Sequence, residues 1–294
     1  MNDSLGEKQS AALSSLLAAV GLTAFKIVVG VLTGSLGILA EAAHSGLDLV
    51  AAGLTFVAVR LSGRPADHEH LYGHGKIENL SALAETLLLL LTCAWIVWEA
   101  IHRLRTHHTG IEVTVWSFVV MLTSIVVDIS RSRVLSRAAV KYHSQALEAD
   151  ALHFTTDVWS SAVVVVGLAA VKAGDWWPGL LFLRNADAIA ALGVSALVVW
   201  VSVRLGRRTL DALIDSAPEG MEQRIIAAVE GVEGVRNCHH VRMRYSGPIL
   251  FIDLHVLVDG AQCLAQAHLL TETIEEVIHG LAPNADVTVH PEPF

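Results

Sequence analysis

Two stretches of this chain pair a histidine with an aspartate four residues later. AEAAHSGLDLVAAG (40–53) contributes His44 and Asp48, and EADALHFTTDVWSSAVVVV (148–166) contributes His153 and Asp157. On a helix, positions i and i+4 share one face. Each pair sits in an apolar run long enough to enter a bilayer, where an ionisable side chain costs roughly 2.5–3.5 kcal/mol on insertion scales and marks a functional site. Two such pairs facing each other supply two imidazole nitrogens and two carboxylate oxygens, a four-coordinate set suited to zinc.

Two further groups carry metal-ligating types. The loop RPADHEHLYGHGKIEN brings Asp67, His68, His70 and His74 together, with glycines around GHGK (73–76) that permit sharp turns. It reads either as an exposed metal site or as a solvated polar loop. HEH is not the HExxH of a zinc protease, because His70 follows Glu69 directly. Near the C-terminus, His239, His255 and His290 fall on predicted strands and His268 on a predicted helix, with Asp253 and Glu292 nearby. They read as a metal cluster or as solvated histidines. Cys93, Cys238 and Cys263 are scattered, with no CxxC spacing, so neither a disulfide framework nor a thiolate site is expected.

The elements that position these groups follow from hydropathy. The chain is 53% hydrophobic and 17% charged, against about 25% charged in an average soluble domain. The excess collects into six runs, near 11–32, 38–61, 80–102, 113–135, 147–171 and 187–205. Each approaches the ~20 residues that cross ~30 Å of hydrocarbon. The first twenty residues lack a basic n-region and a cleavage site, so the first run is expected to remain as a helix. Lys26 within it reads as snorkelling or packing, and Glu41, one turn before His44, as packing or gating. Six spans place both ends on one side. Lys8, Arg60, Arg64, Lys76, Arg131, Arg133, Arg137, Lys141, Arg204, Arg207 and Arg208 fall on that side, against Arg103, Arg105, Lys172 and Arg184 opposite. Both termini are therefore expected in the cytoplasm. Trp176 and Trp177 beside Pro178 suit the outer interface belt.

The expected organisation is an all-α six-helix transmembrane domain (1–208) followed by a small α+β cytoplasmic domain (209–294). The order α-β-β-α-β suggests a ferredoxin-like arrangement with helices on one face of a sheet. From Thr209 onward there are thirteen acids and four bases, and six of the fifteen histidines. That balance argues against nucleic acid and suits cations.

With these motifs assembled, the chain resembles the cation diffusion facilitator family, zinc-type divalent-metal/proton antiporters. The resemblance covers nearly the whole length. It rests on the two HxxxD helices, the DxxHxxGHGKxE loop beginning at Asp67, HxxRxRxSGP beginning at His239, and the terminal DVTVHPEP. Bacterial zinc/iron exporters of the family share the loop and tail patterns. The resemblance implies a transport site of His44, Asp48, His153 and Asp157, a loop site of Asp67, His70 and His74, and a tail site of His239, His255, His268, His290 and Glu292. It also implies a charge interlock between Lys76 and Asp215, and a homodimer. Two departures stand out: those exporters carry Asp where His44 stands, and His240 and Glu292 replace acids common in the tail.

The expected activity is export of Zn2+ from the cytoplasm, through the inner membrane, in exchange for H+ by alternating access. Cd2+, Co2+ or Fe2+ are further cargo, and zinc doubles as a regulatory ligand in the tail. Zn2+ and H+ compete for the same His and Asp atoms, which couples the fluxes. No GxxxxGK[ST] loop is present, so no ATP is expected. The rivals are a non-transporting membrane metal sensor and an intramembrane zinc hydrolase. The hydrolase needs an open position and a general base; here four ligands close the shell and no spare buried carboxylate is well placed, Glu41 being a weak candidate base that reads better as packing or gating.

Overall fold

The structure is a computed structural model describing residues 2–106, 115–176 and 186–294. Helices α1 (Asn2–Thr33), α2 (Leu36–Ser62), α3 (Lys76–Thr106), α4 (Val115–Tyr142), α5 (Gln145–Trp176) and α6 (Ala186–Leu213) come first. They run past the apolar spans at several ends, as at 2–10 and 136–142, where the helical turns continue beyond the hydropathic run. Among the described residues, α1, α2 and α3 are long and apolar enough to cross a membrane. Trp177, Pro178 and Arg184 lie outside the described residues, as do the side chains of Arg103, Arg105, Lys172 and Trp176.

α1 packs along α2, α3 along α6 and α4 along α5, while α5 also touches α2, α3 and α6. Small residues permit the close approach: Ala12, Ala139, Ala146 and Ala151 sit with Val59, Leu135, Leu147 and Phe154 in one buried cluster. The distribution of polarity is that of a protein in lipid. Leu47, Val50, Leu91, Trp95 and Val126 are exposed, whereas Glu78, Glu85, Asp150, Arg131 and Lys8 are buried.

The C-terminal unit comprises α7 (Met221–Glu230), β1 (Val235–Ser246), β2 (Ile249–Val258), α8 (Leu264–Leu281) and β3 (Ala285–Pro293). β1 pairs antiparallel with β2, and β2 parallel with β3, in the order β1-β2-β3. The ferredoxin-like expectation needs one correction. In a split βαβ unit another strand separates the parallel pair, whereas here β3 lies directly beside β2. No strand precedes α7 among the described residues to fill that gap.

Alternation along β2 sets the site face. Leu250, Ile252, Leu254, Val256 and Val258 are buried against Ile225 and Val229 of α7 and Ile274 and Ile278 of α8. Phe251, Asp253, His255 and Leu257 therefore occupy the opposite face.

Candidate metal centres

The four membrane residues meet. α2 carries His44 and Asp48, and α5 carries His153 and Asp157. His153 Nε2 lies 3.1 Å from Asp48 Oδ1 and 3.6 Å from Asp157 Oδ2, and His44 Nε2 lies 4.0 Å from Asp48 Oδ1. Donor atoms of His44, Asp48 and Asp157 fall within 4.8 Å of one another. Two donors each ~2.0 Å from a tetrahedral zinc are about 3.3 Å apart, so these separations bracket a coordination shell. Asp157 Oδ2 is buried and accepts no hydrogen bond. A buried carboxylate oxygen with no hydrogen bond, set beside two imidazoles, is a donor that a cation would satisfy.

Around this site the structure holds ionisable groups that motif reading passed over. Glu85 is buried and bonded to Thr55 and Ser81. Asp150, one turn before His153, accepts from Ser15 at 3.5 Å. The Arg131 guanidinium donates to Ser15 and Asp128 and lies 3.4 Å from the Phe154 ring centroid. Buried carboxylates beyond the four thus exist, each engaged by a hydroxyl or guanidinium. The signal was an acid inside an apolar run, but partners so distant in sequence could not be read. Arg131 and Lys8, counted above among cytoplasmic-side charges, are buried, with Lys8 on Glu78 at 2.7 Å. Lys26 is a packing partner, donating to Ser45 at 2.7 Å and Glu41 at 3.3 Å.

The loop residues also converge. Asp67 Oδ1 is 3.3 Å from His70 Nδ1, and Asp67 Oδ2 is 3.4 Å from His74 Nε2. Asp67 also accepts the backbone N–H groups of His70 and Glu69, at 2.7 and 3.0 Å. The His70 N–H is the main cause holding its carboxyl below the usual range. An ionised, oriented carboxylate flanked by two imidazoles is a three-donor set.

In the C-terminal unit, strand register aligns the histidines. His239 pairs with His255, and His255 with His290, so one row crosses all three strands. Glu292, two residues beyond His290, shares its face. Glu292 lies 2.9 Å from His255, 3.2 Å from His239 and 3.8 Å from His290. The His255 hydrogen bond holds its carboxyl below the usual range. His268 stands apart on α8, with Glu272 at 3.6 Å, and joins none of these groups within one chain. Cys238 faces the core, where burial pushes its thiol up to about 11, so it offers no thiolate.

The loop and the C-terminal unit touch each other. Lys76 Nζ donates to Asp215 Oδ1 at 2.7 Å, and Arg244 reaches Asp215 Oδ2 at 3.5 Å. Arg244 also stacks over Tyr72, 4.1 Å from its centroid. Gly247 N–H donates to Asn79 Oδ1 at 3.1 Å, and a Cβ on Gly247 would come within 2.8 Å of the Gly75 carbonyl oxygen. Both glycines are thus required by close backbone approach.

Lys76 holds the Asp215 carboxyl below the usual range. A depressed pKa contributes stability above the unfolded value that is lost as pH falls through the folded one. Asp215 has φ 61°, which asparagine tolerates. Asp215→Asn is therefore expected to lower stability at pH 7 by less than about 1 kcal/mol for so exposed a pair, and the melting temperature slightly with it. The difference from the parent protein should shrink as pH falls through the depressed pKa of Asp215 and vanish once that carboxyl is neutral in the folded state too. Melting curves across pH test this, and an unchanging difference would exclude the ion pair as its cause.

Known proteins are similar to this chain along its length. The family described as the cation efflux transmembrane domain matches residues 12–214, and the cation efflux protein cytoplasmic domain matches 217–294. The chain belongs to the cation diffusion facilitator family. As a facilitator it is an integral membrane cation efflux transporter that handles divalent metal ions, and not an enzyme. Cation-efflux pump FieF of Serratia proteamaculans is 35% identical over 292 residues, covering 97% of this chain and 92% of that protein. Cation-efflux pump FieF of Cronobacter sakazakii is 36% identical over 301 residues, covering 100% and 95%. Among solved structures, MamM CTD is 32% identical over 26% of this facilitator and 96% of that chain, with a TM-score of 0.25.

Proposed function

We propose that this facilitator exports Zn2+ from the cytoplasm across the inner membrane in exchange for protons, by alternating access. His44, Asp48, His153 and Asp157 are the carrier ligands. In this reading all six helices α1–α6 span the bilayer, both termini are cytoplasmic, and the protein works as a homodimer. Residues 1–208 form the transport unit, while 209–294 bind regulatory zinc and dimerise. The observation that carries the proposal is His153, whose Nε2 lies 3.1 Å from Asp48 Oδ1 on the other helix and 3.6 Å from Asp157 Oδ2, a buried oxygen that no hydrogen bond satisfies.

The chemistry follows from the donor set. Entering zinc displaces protons from imidazole and carboxylate on the cytoplasmic side. Outside, protons displace zinc. Two imidazoles make the site softer than an all-carboxylate one, so Zn2+, Cd2+ and Co2+ should be carried better than Mn2+ or Mg2+. Competition assays on purified protein in proteoliposomes test this. Zn2+ uptake should be blocked by Cd2+ and little affected by excess Mn2+; better transport of Mn2+ than of Zn2+ would sink the assignment. His44→Asp should shift the preference toward harder ions, read as a lower Zn2+/Mn2+ rate ratio. A metal sensor using the tail alone would give no flux in the same assay.

In the tail, the row of His239, His255 and His290 with Glu292 fits a metal. His239 Nδ1 is taken by Asn237 at 3.1 Å while its Nε2 faces Glu292. A cation on that edge, zinc or a proton, satisfies both groups. Zinc here would offset the repulsion between two acidic tails in the dimer. Asp67, His70 and His74 form the corresponding loop site.

A further inference from the structure

We propose that His240 is a metal ligand of the cytoplasmic domain, completing a three-imidazole site with His239 and His255 for a divalent transition-metal ion. This rests on the reading of the tail as a metal-binding unit, and adds a residue that strand alternation assigns to the other face.

The geometry comes from a bulge. His239 pairs with His255 and Arg242 with Asp253, so β1 advances three residues while β2 advances two. His240 and Val241 together oppose Leu254, one extra residue in the ladder. In a regular strand, Cys238 and His240 would share the core face and His239 would point away. Cys238 does face the core. A bulge re-aims a side chain, and here it turns His240 out beside His239.

The rings report the result. His240 lies 4.9 Å from His239 and 5.2 Å from His255 between centroids, and His239 lies 5.7 Å from His255. Nitrogens of all three fall within 4.8 Å of one another.

His240 has φ 49°, in the left-handed region that disfavours a side chain. Glycine fits such a position without strain, and a strained non-glycine residue at a cluster of donors points to use of its side chain. Glu292 and Asn237 bond the Nδ1 atoms of His255 and His239. Such bonds fix ring orientation, and they leave His239 Nε2, the atom that faces Glu292, available to a metal. Three imidazoles suit Zn2+, Ni2+ or Cu2+ over Mg2+ or Mn2+.

The test uses the full-length protein in detergent, with Zn2+ as the probe. Histidines are modified with diethylpyrocarbonate at increasing zinc, and modification of each is read by peptide mass spectrometry. His240 is expected to lose reactivity at the same zinc concentration as His239 and His255. His143, exposed at the turn between α4 and α5 and outside all the donor groups, serves as the reference for a histidine that stays reactive. His240→Gly removes the imidazole and suits the backbone, so its metal-free melting temperature should not fall. Loss even of an outer partner costs about 10–100-fold in metal affinity, so the zinc needed to protect His239 and His255 in this variant should rise at least that much. If His240 stays reactive while His239 and His255 are protected, the proposal is overturned and the tail remains a metal site. If none of the three is protected, the tail reading fails with it.

Discussion

Replacing Asp157 by alanine is expected to reduce zinc flux through reconstituted protein to that of protein-free liposomes, while the protein remains folded and dimeric. Asp157 Oδ2 is buried without a hydrogen-bond partner, 3.6 Å from His153 Nε2. Burying an unsatisfied polar group costs about 1–3 kcal/mol, more when it is charged. Its removal should therefore leave metal-free stability unchanged or raise it, the signature of a group kept for function. Flux and melting temperature measured on one preparation separate the outcomes. Wild-type flux in the variant would exclude Asp157 as a carrier ligand. Loss of flux with loss of folding would point to a structural role.

The second large effect is expected in the tail. The fragment 209–294 should melt higher as zinc rises. At a hundredfold excess over Kd, binding adds about 2.7 kcal/mol, which for a domain of under about 100 residues shifts the melting temperature by about 10–20 °C. The double change His255→Ala with His290→Ala removes the centre and one end of the aligned row, and with them two of the contacts to Glu292. It should abolish the shift and weaken fragment dimerisation. Transport by the full-length double variant should fall without being lost, because the proposed carrier ligands His44, Asp48, His153 and Asp157 are untouched. An unchanged zinc stoichiometry and melting shift would mean these histidines are solvated and the acids only keep the tail soluble.

Much of this was legible in residue type and spacing. The i, i+4 rule placed His44 with Asp48 and His153 with Asp157, and the apolar runs marked the helices that carry them. Period-two alternation aligned His255 with the strand face opposite the core, where His290 stands beside it. Contacts between residues far apart in the chain could not be read. Thr55 meets Glu85, and Arg131 meets Ser15, only because α2 packs on α3 and α1 on α4. The bulge at His240 was hidden for a different reason. An extra residue in one strand shows only against its partner's register, so alternation sends this histidine to the wrong face. The sheet order was likewise open, since an αββαβ string fits a split or an unsplit crossover.

Simultaneous recording of zinc and proton movement in proteoliposomes holding the unmodified transporter tests the central claim most directly. With a zinc-sensitive dye and a pH-sensitive dye inside, zinc entry should be accompanied by proton exit. An imposed gradient with a more acidic lumen should accelerate it, and a protonophore that collapses the gradient should slow it. Zinc entry indifferent to the pH gradient, with no proton movement in return, would contradict exchange at a shared His/Asp site.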